Sequence, residues 1–164
     1  MELYPWVVIG HVLAVIVAFG AHGVSAFAMF QVRREREPAR VAAILDLSTS
    51  ALIVAGVLLI AAVLLGITAA VMNGFFGQLW PWVSIGIVVV VWLSMTPMAA
   101  GPMNEVRKVL GQPVRGDKPG DPPRMPGTAD ELAAACARLR PEAVAILGVG
   151  ALAVLVWLME MKPF

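Results

Sequence analysis

The sequence predicts an all-α membrane protein, a polytopic four-transmembrane-helix antiparallel bundle with both termini outside, and three observations carry that expectation. First, 60% of the 164 residues are apolar and 14% are charged, with a mean hydropathy of +0.85. Soluble domains sit near one half apolar and about a quarter charged, so an ordinary soluble domain is excluded. Second, the apolar residues gather in four stretches, about 6–30, 48–72, 82–100 and 143–161, each near or above the ~20 residues that cross a hydrocarbon core of about 30 Å. Third, basic residues cluster in alternate connections. Arg33, Arg34, Arg36 and Arg40 lie in the first, none lies in the second, and Arg107, Lys108, Arg115, Lys118, Arg124, Arg138 and Arg140 lie in the third. The positive-inside rule therefore makes connections one and three cytoplasmic. Tyr4, Trp6, Phe75, Phe76, Trp80, Trp82 and Trp157 all fall at the opposite boundary, where amphipathic rings prefer to sit.

The first span, Trp6 to Phe30, is preceded by Met1 to Pro5, which carries Glu2 and no Lys or Arg. It does not read as a cleavable signal, and the span is expected to stay in the mature protein. After Gln31 come Arg33, Arg34, Glu35, Arg36 and Glu37, and then Pro38 restarts a helix, because Pro suits a first helical position and disfavours helix in the residue before it. The second helix runs through Pro38 to Leu47 in water and crosses from about Ser48 to Met72. Asn73 to Pro81, NGFFGQLWP, is an uncharged turn with two glycines. In the third span Pro97 and Pro102 each remove a backbone donor, which predicts a kink.

The cytoplasmic loop, about 101–142, opens with a short polar helix over Asn104 to Leu110, with Gly111 as its C′ residue. Gly111 to Gly127, GQPVRGDKPGDPPRMPG, has the composition of an extended or mobile aqueous segment. Thr128 and Glu131 have capping-box spacing. The helix they start puts Leu132, Cys136 and Leu139 on one face, resting on the bilayer or on the other helices. Pro141 then interrupts before the fourth span. One domain, 1–164, accounts for the chain, and the lone Cys136 excludes an intramolecular disulfide. Asp46, where the second helix enters the bilayer, is expected to pair with Arg36 or Arg40.

Both histidines of the chain lie in the first span. His11 and His22 are eleven residues apart; at about 100° per residue they come within about 20° of the same azimuth, separated by about 16 Å along the axis. They share a stripe with Ala14, Ala18, Ser25 and Met29, whose small members allow close approach of a helix or a flat cofactor. An ionisable residue inside a span is a functional hypothesis; the alternative is an imidazole that hydrogen-bonds across helices. One ion cannot bridge the two histidines, but two sites at two depths are open. With no third histidine, a haem b iron held by one imidazole takes a methionine, a water or another chain as its sixth ligand. Met95 and Met98 match His22 in depth, and Met159 matches His11. Met95, Met98 and Met103 in SMTPMAAGPM, with His22, are the candidate Cu(I) donors, although methionine also simply fills gaps. No phosphate loop, buried carboxylate pair, nucleophile constellation or nucleic-acid signature is present.

With the first span, the basic turn QVRREREP and the ending VWLMEMKPF in view, the chain resembles a bacterial family of integral membrane proteins of unknown function. That family is itself similar to the four-helix membrane module of CopD-like copper-resistance proteins. The likeness covers nearly the whole chain, and its motifs are an early histidine, a basic turn and a Lys-Pro near the end. More distantly the chain resembles HemJ, a four-helix protoporphyrinogen oxidase, but the intramembrane lysine of that family has no counterpart here. The resemblance implies a bacterial inner-membrane protein and a scaffold on which histidines hold haem or metal. Three readings follow: haem b binding and electron transfer through His11 or His22, a non-catalytic subunit of a larger membrane complex or homo-oligomer, and copper handling. The lipid bilayer is the one partner common to all three, and no nucleic acid is expected.

Overall fold

The computed structural model describes residues 3–114, 117–118 and 122–163. Helix is the regular structure of those residues, without strands among them, and four helical stretches are long and apolar enough to cross a membrane. The first two are α1 (Leu3–Arg34) and α2 (Pro38–Met72). Glu37 before the proline is extended, at φ −81° and ψ 118°, as the ring of Pro38 requires. The turn satisfies its own polar groups. Glu35 Oε1 accepts from the N–H groups of Arg36 and Glu37, and the Arg36 guanidinium donates to the carbonyls of Arg33 and Glu35. The N–H groups of Glu37 and Arg36 hold the Glu35 carboxyl below its usual range.

α1 and α2 form the most extensive helix pair. Ala14, Ala18 and Ala28 on one side and Ala55, Ala62 and Ala70 on the other are buried, and short side chains let the backbones approach where lipid offers no hydrophobic drive for association. Ser25 and Ser48 meet between them, Oγ to Oγ at 2.7 Å, both buried. Ser25→Ala leaves one buried hydroxyl without its partner and is expected to destabilise by about 1 kcal/mol. Replacing both serines by alanine recovers part of that loss, and thermal unfolding of the two variants in detergent checks the difference.

A left-handed Gly74 (φ +67°) and one 3₁₀ turn, Phe75–Gly77, lead into α3 (Trp80–Met95). Phe75 stacks on Trp80 and Phe76 on Trp82 at this junction. Pro97 does not break the third span. The chain passes through one π-turn, Thr96–Ala100, in which the Gly101 N–H reaches back five residues to the Thr96 carbonyl. It then continues as α4 (Gly101–Val109), so the expected kink takes the form of a widened turn and the polar helix is fused to the span. Gly111 at φ +72° closes α4: its N–H bonds the Lys108 carbonyl and the Gln112 N–H bonds that of Arg107, the Schellman pattern.

Arg115, Gly116, Pro119, Gly120 and Asp121 fall outside the described residues, and with them part of the expected mobile segment. Its described part is tied down by Gly127 N–H to the Val109 carbonyl, 2.8 Å, and by an Asp117–Arg124 ion pair, 2.6 Å. The Arg124 side chain and the Val114 N–H hold the Asp117 carboxyl below its usual range. This anchoring is fully present above the ordinary aspartate pKa and is lost as pH falls through the lowered folded value. Limited proteolysis of residues 111–127 should therefore be unchanged from neutral to mildly acidic pH and accelerate only below it; acceleration near neutrality contradicts the anchor.

Thr128 caps α5 (Ala129–Ala137): its Oγ1 accepts from the Glu131 N–H and the Glu131 carboxylate accepts from the Thr128 N–H. Pro141 opens α6 (Pro141–Met161). Leu132, Cys136 and Leu139 are 4%, 0% and 1% exposed, resting on helices rather than lipid. With Met29, Val106 and Val144 they form the core at the arginine-rich end. Arg33 there binds both carboxylate oxygens of Glu142, at 2.7 and 2.9 Å.

One expectation is corrected. Asp46 pairs with Arg107 at 2.9 Å, not with Arg36 or Arg40. Arg36 is spent on the end of α1 and Arg40 on Glu37, while the fused α4 brings Arg107 to Asp46 and Thr49. Sequential neighbours do not all pack. α1 lies against α2 and α6, and α3 packs on α6, whereas α2 and α3 barely touch. The aromatic junction fills the space at the turn between them, and Lys162 at the end of α6 sits 4.7 Å over the Phe75 ring.

Candidate functional site

The space left by this packing lies at the level of His22. A cavity of about 260 Å³ opens there, lined from α1, α2, α3, the π-turn and α6. Phe19, His22, Met29 and the Ser25 side of α1 form one wall. Leu52 and Gly56 of α2, Trp92 and Met95 of α3, Thr96, and Gly148 of α6 form the others. No charged residue lines it, so a charged guest meets no counter-ion.

His22 meets Phe19 edge-on, with ring centroids 6.4 Å apart at 74°. Its imidazole makes no hydrogen bond or ion pair among the described residues, and neither does the Thr96 hydroxyl. The half-buried imidazole and the exposed hydroxyl both border the cavity, so both are open to a hydrogen-bonding guest. Gly148 makes room for the ring: a Cβ on it would lie 3.2 Å from His22 Nε2 and 3.8 Å from Met95 Cε. The His22 imidazole and the Met95 methyl group thus both border Gly148.

His11 is placed differently. It shares the buried stripe of Ala14, Ala18, Ser25 and Met29, but its Nδ1 bonds the Ala62 carbonyl of α2 at 2.7 Å. The Cε1–Nδ1 edge of the ring is closest to Gly66, where a Cβ would stand 3.0 Å from Cε1. This is a clasp between α1 and α2, away from the cavity. Met98 is half-buried against the arginine-rich core, Met103 is buried within it, and Met159 is half-buried on α6 and does not line the cavity. Of the candidate donors, His22 and Met95 line the cavity, while Met95 and Met98 both pack on the core that holds Met103.

These residues fit haem b in part. An imidazole and a thioether, here His22 and Met95, are donor types that would hold a haem iron. However, no cation among the lining residues is at hand for the haem carboxylates. A Cu(I) site would have one imidazole and one thioether, with Met98 and Met103 spent on packing. Among the described residues no three His, Cys, Asp or Glu side chains gather to hold a metal.

Sequence reasoning missed Gly148, Thr96 and Trp92. Thr96 beside Pro97 and the small-residue run LGVGALA around Gly148 were the available signals. Comparison with protein-family models, with curated proteins and with solved structures finds no match to this chain.

Proposed function

We propose that the protein is an intramembrane binding protein for a neutral, lipid-soluble ring compound held against His22. One observation carries this reading: an imidazole without a protein partner faces an uncharged cavity of about 260 Å³, formed by all four spans. The arginine-rich end is placed in the cytoplasm by the positive-inside asymmetry, with both termini outside. His22 and Thr96 orient the guest, Gly148 and Met95 shape the cavity, and His11 holds the scaffold.

Organic extraction of the detergent-purified protein, read by mass spectrometry and absorbance, tests the reading. A neutral ring compound is expected from the natural chain, at a much lower level from His22→Phe. A Soret band lost in His22→Ala contradicts it in favour of haem b between His22 and Met95.

A further inference from the structure

Beside the His22 cavity lies a second cleft, about 270 Å³, between the two helices that barely touch. Ile60, Val63 and Leu64 of α2 face Val89 and Leu93 of α3 across it. Its walls are entirely apolar, and its rim is open: Leu64 and Leu93 are 60% and 67% exposed. Val88 and Trp92 line both the cleft and the cavity, so the two volumes adjoin across these side chains. The cleft opens sideways, between two helices long and apolar enough to cross a membrane.

Three features constrain the occupant. The cavity has no charge, so the head is neutral. The two side chains without partners, the imidazole of His22 and the hydroxyl of Thr96, can each donate as well as accept, which suits acceptor oxygens on the ring. The adjoining cleft asks for a hydrocarbon chain attached to that ring. A ring with carbonyl acceptors and an isoprenoid or alkyl tail is a quinone.

We infer that the His22 cavity takes the head of a membrane quinone, with its carbonyls toward His22 and Thr96 and its tail leaving between α2 and α3. Trp92 stands where head and tail join and is a positioning residue. The inference rests on the reading of the cavity given above, and names its ligand. No redox step is required of the chain itself.

The test uses the full chain in detergent and two probes, ubiquinone with one isoprene unit and ubiquinone with ten. Binding is read as saturable quenching of the Trp92 contribution, the part of the fluorescence removed by Trp92→Phe. The natural chain should bind both. Filling the cleft with Leu64→Phe and Val89→Phe together should weaken the ten-unit probe about tenfold and leave the one-unit probe unchanged. Equal affinities of both probes for natural chain and variant overturn the tail path while leaving the cavity reading in place. If neither probe binds although extraction still yields a neutral ring compound, the quinone assignment falls and the cavity reading stands. If neither probe binds and extraction yields nothing, both fall.

Discussion

Gly148→Leu is expected to abolish ligand binding at the His22 cavity while leaving the four-span fold intact. The first added carbon alone lands 3.2 Å from His22 Nε2, closer than an ordinary contact, and the remaining carbons must occupy the cavity. α6 is helical at this position, where leucine is a better helix former than glycine by up to about 1 kcal/mol. Loss of binding with unchanged helicity and an equal or higher unfolding temperature is the expected pair of results, read by circular dichroism and by ligand extraction. Retained ligand in a folded Gly148→Leu protein places the guest elsewhere.

The second large effect belongs to the arginine-rich end. Leu139, 1% exposed, sits with Leu132 and Cys136 between the short helix α5 and the ends of α1 and α4. Because Leu139 lies outside the apolar spans and is packed on all sides, the costs known from soluble cores apply: Leu139→Ala should destabilise by about 2–5 kcal/mol. Loss of the same order at a position such as Leu93, 67% exposed, is not expected. Thermal unfolding of the two variants side by side checks the contrast, and equal effects would mean that α5 is not part of the folded core.

Local chemistry was legible in the sequence, and the partnership between helices was not. Pro38, Gly111 and the Thr128–Glu131 pair announce their turn and caps because each acts on backbone within five residues. Asp46 and Arg107 are 61 residues apart, and no local pattern names that pairing; it depends on Pro97 producing a π-turn rather than an end. Likewise the spans are apolar all round, so the 3.6-residue period that reveals a buried face in a soluble helix is nearly absent. Nothing along the chain therefore says that α3 turns to α6 and leaves α2. His22 was legible as an ionisable group in a span, and so was the stripe it shares with Ala18 and Ser25. That His11, on the same stripe, instead grips the Ala62 carbonyl depends on Gly66 opposite it, and Gly148 and Thr96 join His22 only through the same tertiary packing.

The most direct test of the His22 cavity is the fluorescence titration of the detergent-solubilised chain with one-unit ubiquinone. A saturable quench is expected, removed by Gly148→Leu and by Trp92→Phe but kept by His11→Ala, which loses only the α1–α2 clasp. A quench that rises without saturation and is the same in all four proteins contradicts the cavity as a binding site.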